Sequence, residues 1–134
     1  MTKSTFFEIE QFNDDRGDIF IFEKGVNLPF QVKRVYLIRG VPLGKERGHH
    51  AHRKLKQLLI ALSGSVLVDV LDQSGTTTYN LSNPNKGLYI YGPTWRVLRN
   101  FTSDCILMVL ASERFDPDDY IDNYSVFLEE TKGD

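Results

Sequence analysis

The sequence predicts an all-β protein, an antiparallel barrel or double-sheet jelly roll that ends in a short C-terminal helix. Two observations predict the sheets: short runs of β-type residues recur at even spacing, and turn residues separate them. A third predicts the helix, because apolar residues change to helical spacing near the end of the chain. A chain of 134 residues is long enough to bury its own core, so we predict a single domain over residues 1–134.

The predicted strands follow one another closely along the chain. The run "FFEIEQF" alternates apolar and polar residues, "NDDRGD" turns the chain, and "IFIFE" follows. In "QVKRVYLIRGV", alternation places Arg34, Tyr36 and Ile38 on one face of a strand. The long run "KQLLIALSGSVLVDVLDQSGTTTYNL" breaks at Gly64 and again near Gly75. The segments "GLYIYGPTWRVLRNF" and "DCILMVLAS" supply the last strands.

The segment "RFDPDDYIDNYSVFLEE" predicts the C-terminal helix, over about residues 117–130. Asp116 is the predicted cap and Pro117 the predicted first residue of this helix. Tyr120 and Phe127 belong to an apolar stripe at helical spacing, which we expect to pack on the barrel.

Composition and charge narrow the class of protein. A formal net charge of −2 excludes a chain that is basic overall, so we predict no nucleic-acid partner. The single cysteine, Cys105, excludes a disulfide framework and indicates a reducing compartment. The N-terminus lacks the apolar core of a signal peptide, and no apolar run is long enough to span a membrane. We therefore predict a cytoplasmic protein without a membrane partner.

All three histidines lie within the segment "RGHHAHR". His50 and His52 are two residues apart, so on a strand they project to the same face, whereas His49 points to the other face and has a structural role. An unperturbed imidazole titrates at about pH 6.5, so a pair of imidazoles is suited to proton transfer as well as to metal ligation. The metal, acid–base and purely structural readings of the pair are all open at this point.

The spacing around the histidines resembles the first motif of the cupin superfamily, and a weaker echo of the second motif runs from Gly87 to Pro93. In the first motif Gln57 stands where cupins carry an acidic metal ligand, and in the second Leu98 stands where they carry a histidine. A cupin metal normally uses two histidines, a glutamate and that second-motif histidine. Asp69 and Asp72 are not at a favoured spacing to replace them. We predict metal-free proton chemistry, with no metal and no other cofactor.

Several cationic and aromatic side chains accompany the histidines, although the chain is acidic overall. Arginine is suited to phosphate because its guanidinium is planar and permanently charged. Two readings of these arginines are open at this point, a pocket for an anionic ligand and solvated surface charges. Trp95 is a candidate wall of the ligand site, and the hydroxyl of Tyr36 is a candidate proton relay or orienting group.

Over nearly the whole chain the sequence resembles the sugar 3,4-ketoisomerases of the cupin superfamily, metal-independent enzymes that act on dTDP-4-keto-6-deoxyglucose. The resemblance rests on "PFQVKRVYLI", "RGHHAHRKLKQLL", "SGSVLVDVLD", "GLYIYGPTW" and "LMVLASERFDPDDYIDNY". It implies a dTDP-sugar substrate and a 3-keto product, which later enzymes convert into 3-acetamido-3,6-dideoxyhexoses of surface glycans such as O-antigen. It also implies a homodimer with exchanged N-terminal strands.

The resemblance implies roles for particular residues. The implied catalytic residues are His50, His52 and Tyr36. The implied substrate-binding residues are Arg16, Arg34, Arg47, Gln57, Trp95 and Arg96. The "RG" turn at Arg16 is similar to that of members with a galacto-configured product, whereas the "WR" pair is similar to that of gluco-configured members. The configuration at C4 of the product is therefore open.

Two other functions are compatible with these residues. A related cupin, the nucleotide-sugar 3,5-epimerase, also removes a proton next to the C4 ketone, but it usually pairs one histidine with an aspartate. A non-catalytic cupin that only binds the nucleotide sugar would exchange no carbon-bound proton. A metal-dependent dioxygenase-type cupin is disfavoured by Gln57 and Leu98.

Overall fold

The computed structural model describes residues 4–133, which form two five-stranded antiparallel sheets and a separate two-stranded hairpin. The strands are β1 (Ser4–Glu8), β2 (Glu10–Asp14), β3 (Gly17–Ile21), β4 (Arg34–Arg39), β5 (Arg47–His52), β6 (Gln57–Ser63), β7 (Val66–Asp72), β8 (Gly75–Leu81), β9 (Lys86–Ile90), β10 (Trp95–Arg99), β11 (Ile106–Ala111) and β12 (Tyr120–Ile121). A 3-10 turn covers Pro117–Asp119, and the helix α1 covers Tyr124–Glu130.

The order of the strands brings distant parts of the sequence together. The first sheet has the order β1-β9-β6-β11-β4, the second has the order β12-β5-β10-β7-β8, and β2 pairs with β3 in the hairpin. The prediction of an all-β antiparallel fold with a short C-terminal helix is confirmed. No helix among residues 4–133 is long and apolar enough to cross a membrane.

The main core lies between the two sheets. Leu59 and Val109 from the first sheet pack in one buried cluster with Val68 and Leu98 from the second. This arrangement follows from the period of two along each strand, which sends alternate side chains inward. The same alternation sends the polar residues of the site into the space between the sheets.

Each sheet also has a covered outer face. On the first sheet, Leu58, Ile60 and Leu110 form a second cluster, against which Phe20 of the hairpin and Phe30 of the following loop pack. On the second sheet, a third cluster joins helix α1 to strands β5, β10 and β12; its buried members are Ala51, Trp95, Ile121 and Phe127. The apolar stripe predicted near the C-terminus is therefore used to cover this sheet.

The prediction of a helix over residues 117–130 was wrong at its start. Asp116 does cap a turn through its side chain, but only one 3-10 turn follows. Tyr120 then pairs with β5 as a short edge strand, and the α-helix begins only at Tyr124. Its cap is Asn123, whose Oδ1 accepts a hydrogen bond from the backbone of Val126 at 3.1 Å. Sheet pairing has overridden the local helical pattern.

Gly64 occupies the turn between β6 and β7 with a φ of +61°. A Cβ at this position would lie 2.3 Å from Thr102 Oγ1 and 2.7 Å from the Cα of Cys105. The motif glycine is thus required by the turn and by the close approach of a neighbouring backbone.

Candidate active site

A cavity of about 420 Å³ lies between the two sheets. Strands β4, β5, β6, β10, β11 and β12 contribute to its walls. Its polar and aromatic lining residues are Arg34, Tyr36, Arg47, His50, Gln57, Arg96 and Tyr120. Leu59, Leu98 and Val109 supply apolar wall. A cavity with an apolar body and a few convergent polar groups is typical of a small-molecule site.

The two histidines stand in the same aromatic cluster but at different depths. His50 lines the cavity, whereas His52 lies behind it and has no solvent exposure. Their ring centroids are 4.7 Å apart. The ring of Tyr120 contacts both, at 5.0 Å from His50 and 4.4 Å from His52. His50 is therefore the imidazole that a ligand in the cavity meets first.

Strand pairing brings these side chains together. In the register of β5 and β10, His50 is opposite Arg96, and in that of β5 and β12, His52 is opposite Tyr120. The register of β5 and β10 shifts after the His50 pair, next to Gly48, which has a φ of +82°. A bulge of this kind re-aims the side chains that flank it.

Burial and charge keep both imidazoles neutral at pH 7. Burial, and after it the positive charge of Arg96, lower the pKa of His50 to about 4. The pKa of His52 falls to about 2, again mainly through burial, with Arg96 and His50 adding to the effect. A neutral His50 has a free lone pair, so it is ready to accept a proton.

Arg96 is the buried charge at the centre of the site. Its side chain is 2% exposed, and burial lowers its pKa to about 10, so it stays protonated at pH 7. One guanidinium nitrogen, Nη1, donates to Gln57 Oε1. The other two, Nε and Nη2, have no hydrogen-bond partner among residues 4–133. Buried donors without partners are costly, so a bound ligand that accepts from them gains affinity.

The side chain of Gln57 forms hydrogen bonds with both Arg96 and Tyr36. Its Nε2 donates to the phenol oxygen of Tyr36 at 2.9 Å. Burial is the main influence on Tyr36 and raises the pKa of its phenol. The guanidinium of Arg34 lies 5.3 Å from the centre of the Tyr36 ring. The exposed Arg47 also lines the cavity.

Two of the residues expected to bind substrate do not line the cavity in this chain. Trp95 faces the opposite side of β10 from Arg96, where its ring lies 5.2 Å from Tyr124 and 5.8 Å from Phe127. Alternation along β10 explains this, because neighbours on a strand point to opposite faces. Arg16 lies in the turn of the hairpin, 86% exposed, and pairs with Asp14 at 2.8 Å.

Sequence reasoning missed the role of the segment that contains Tyr120. It was assigned to the helix, yet it lines the cavity as part of an edge strand. Asp119 holds this segment in place, because its carboxylate accepts from the backbone N–H groups of Lys54 and Leu55 at 2.8 and 3.0 Å. The available sequence signal was "DDYI", which is part of the segment "LMVLASERFDPDDYIDNY" on which the family resemblance rests. His49 lies on the exposed face, 3.1 Å from Glu46.

Within residues 4–133, no three His, Cys, Asp or Glu side chains lie close enough together to hold a metal ion. Leu98 forms part of the apolar wall, and Gln57 is engaged by Arg96 and Tyr36.

Comparison with known proteins assigns the family. The model of the family "FdtA: WxcM-like, C-terminal" matches residues 2–132. The chain belongs to this family. The resemblance to sugar 3,4-ketoisomerases is thereby confirmed.

A curated relative, TDP-4-oxo-6-deoxy-alpha-D-glucose-3,4-oxoisomerase of Aneurinibacillus thermoaerophilus, is 41% identical over 114 residues, 85% of this chain and 82% of the relative. The sugar 3,4-ketoisomerase QdtA from Thermoanaerobacterium thermosaccharolyticum, solved in complex with TDP, superposes with a TM-score of 0.93 at 39% identity, covering 97% of this chain and 95% of QdtA.

Two Campylobacter jejuni enzymes, WlaRA, a TDP-fucose-3,4-ketoisomerase, and WlaRB, a TDP-quinovose 3,4-ketoisomerase, both have TM-scores of 0.91. WlaRA is 32% identical with 96% of each chain covered, and WlaRB is 36% identical with 96% of this chain and 99% of its own covered. The rmlC epimerase of Mycobacterium tuberculosis, at 17% identity with a TM-score of 0.74, covers 88% of this chain and 67% of its own, and shares only the fold. The cupin-type jelly roll predicted from sequence is confirmed.

Proposed function

We propose that this chain is a 3,4-ketoisomerase that converts dTDP-4-keto-6-deoxyglucose into a dTDP-3-keto-6-deoxyhexose. The observation that carries the proposal is the neutral His50 in the cavity wall, with His52 4.7 Å behind it and a buried Arg96 alongside. Family membership supports it, because relatives act on TDP-4-oxo-6-deoxyglucose by name.

His50 is the base of the proposed reaction. It takes the proton from C3, which the neighbouring C4 ketone acidifies, and the electron pair forms the C3–C4 double bond while charge develops on O4. A base with a pKa of about 4 is weak. The reaction therefore depends on stabilising the enediolate, and the unpartnered Nε and Nη2 of Arg96 supply donors and positive charge for this.

The remaining steps return the protons. A proton moves from O3 to O4, and C4 is then protonated, which leaves the carbonyl at C3. The proton for C4 comes from the imidazolium that forms when His50 takes the C3 proton, and His52, whose ring is in edge contact with His50, is proposed to share that proton with it. The phenol of Tyr36 is the proposed hydrogen-bond donor to the oxygens. The face on which C4 is protonated determines whether the product is galacto- or gluco-configured.

The diphosphate of the substrate is proposed to bind Arg47 and Arg34. Both guanidinium groups line the cavity, and neither forms a salt bridge within the described chain. Arg34 Nε is buried without a hydrogen-bond partner there. Arginine forks suit phosphate oxygens, so these two side chains anchor the nucleotide while the sugar reaches His50.

The proposed reaction is independent of metal. The buried positive charge of Arg96 is opposite His50 across the strand pair, and it opposes the binding of a cation there. Leu98 offers no ligand at the position of the second-motif histidine, and Gln57 is a weak one.

The testing experiment is proton NMR of dTDP-4-keto-6-deoxyglucose with the protein and a chelator in deuterated water. We expect a 3-keto sugar with deuterium at C4, and the coupling pattern of the trapped product reports its configuration. Deuterium at C5 instead identifies a 3,5-epimerase. Tight dTDP binding without any exchange identifies a non-catalytic binding protein, and loss of turnover with the chelator overturns the metal-free reaction.

The proposal includes a homodimer in the cytoplasm. Phe12 and Ile19 are directly opposite one another in the hairpin and are 56% and 61% exposed, an apolar pair suited to a second copy of the chain. The cytoplasmic location is supported by the single cysteine and by the nucleotide-sugar substrate.

The 3-keto product is a substrate for an aminotransferase, on the way to 3-amino-3,6-dideoxyhexoses of surface glycans.

A further inference from the structure

Two buried side chains and one half-buried side chain, from three different strands, form a series of hydrogen bonds beside the cavity. Arg96 Nη1 donates to Gln57 Oε1, and Gln57 Nε2 donates to the Tyr36 phenol oxygen at 2.9 Å. Gln57 and Arg96 are each 2% exposed, so water does not compete for these contacts. Gln57 therefore has both ends of its amide engaged by protein.

The chemistry of the three side chains allows only one direction of donation along these hydrogen bonds, from Arg96 to Gln57 and from Gln57 to Tyr36. A guanidinium has only N–H donors, so the atom of Gln57 that faces Arg96 is its oxygen. The NH₂ group then faces Tyr36 and donates, so the phenol oxygen is the acceptor. The single O–H of Tyr36 is left over, and it donates no hydrogen bond to any atom of residues 4–133. Tyr36 lines the cavity, so this O–H is free to donate to a molecule bound there.

We propose that Gln57 is a positioning residue. Because it accepts from Arg96, it must donate to the Tyr36 oxygen, and this leaves the Tyr36 O–H to donate to the developing oxyanion of the substrate. The inference rests on the proposed ketoisomerase function and deepens it. It explains why an amide serves better here than the carboxylate common at this position in cupins. A carboxylate would accept from Arg96 and from Tyr36 at once, and would turn the phenol proton away from the cavity.

The decisive variant is Gln57→Glu, because it preserves the shape of the side chain while it replaces the amide donor by an accepting, negatively charged oxygen. We expect kcat to fall about 100-fold, the usual effect of losing one oxyanion donor, while the Kd for dTDP stays within about twofold. The matched control is Gln73→Glu, the same change at an amide that donates to Leu128 O and Thr131 Oγ1 outside the cavity. The control should retain wild-type kcat.

A double-mutant comparison separates positioning from a merely structural effect. Tyr36→Phe removes the O–H directly, so Gln57→Glu should cost little more when it is added to Tyr36→Phe. Fully additive losses, or a Gln57→Glu variant with near-normal kcat, would overturn the positioning role of Gln57. If the wild-type protein itself exchanges no deuterium into the sugar, the proposed function has failed, which is a different outcome from failure of the positioning role alone.

Discussion

At the scale of single residues, the environment of the histidines determines the pH range of the reaction. His50 is half-buried, and burial, together with the charge of Arg96, lowers its pKa to about 4. It is therefore deprotonated, and able to act as a base, over a wider acid range than an ordinary imidazole.

We accordingly expect kcat/KM to stay level from neutral pH down to about pH 5 and to decline only near pH 4, as His50 becomes protonated. The measurement is a pH–rate profile of the isomerisation in buffers of constant ionic strength. A decline centred near pH 6.5 would mean that His50 has an ordinary pKa, or that it is not the base.

The two histidines should also differ from each other when they are replaced. We expect His50→Asn to lower turnover by about 10²- to 10⁴-fold, the usual contribution of a general base, while dTDP binding is retained. His52→Asn should lose turnover as well, but it should still wash deuterium into C3, because His50 remains in the cavity wall. Either variant with near-normal turnover excludes the histidine it replaces from the proposed chemistry. Binding of dTDP, measured by calorimetry, checks that each variant is folded.

At the scale of secondary-structure elements, the short strand β12 completes the site. It carries Tyr120 against both imidazoles, and Asp119 secures it through the backbone of Lys54 and Leu55. A two-residue strand has little stability of its own, so these carboxylate contacts hold the aromatic wall in place.

Asp119→Ala should therefore release the aromatic wall. We expect a loss of about 1–3 kcal/mol in the free energy of unfolding, because two backbone N–H groups lose their acceptor. As water reaches the His52 ring, the pKa of His52 should rise from about 2 toward its ordinary value. Chemical denaturation and NMR titration of the three histidines measure these effects.

The matched control is Asp118→Ala, which removes a neighbouring carboxylate that accepts no hydrogen bond from the described residues. It should leave the stability and the histidine pKa values near those of the wild type. Equal effects from the two variants would mean that the negative charge of this segment, rather than the Asp119 contacts, sustains the site.

At the scale of the whole molecule, the hairpin of β2 and β3 pairs with neither of the two five-stranded sheets. It forms a sheet of only two strands, and Phe12 and Ile19 stand exposed on one face. An isolated two-stranded hairpin is marginally stable in water, so a partner that covers this face stabilises it.

We expect the protein to have about twice the 15.4 kDa mass of the chain in solution, and a Phe12→Ser/Ile19→Ser variant to be monomeric. Size-exclusion chromatography with light scattering measures both. Leu43→Ser is the control, since Leu43 is 96% exposed and lies outside the hairpin; it should remain dimeric. A monomeric wild-type protein, or a variant that still dimerises, contradicts the assignment of this face.

The sequence by itself determined the all-β class, the family, and which residues share a face of one strand. Arg34 with Tyr36, and His50 with His52, followed from alternation, because the period of two is a local property of the extended backbone. The departure from a metal-binding motif was equally local, since Gln57 is visible as a residue type without any knowledge of the fold.

Only the tertiary structure decided which strands are neighbours, and this decided the rest of the site. Pairing of β5 with β10 set Arg96 beside His50 and turned Trp95 toward helix α1, and pairing with β12 drew Tyr120 out of its predicted helix. Strand pairing joins residues that are far apart in sequence, so no local pattern contains it. The series of hydrogen bonds from Arg96 through Gln57 to Tyr36 follows from that pairing as well.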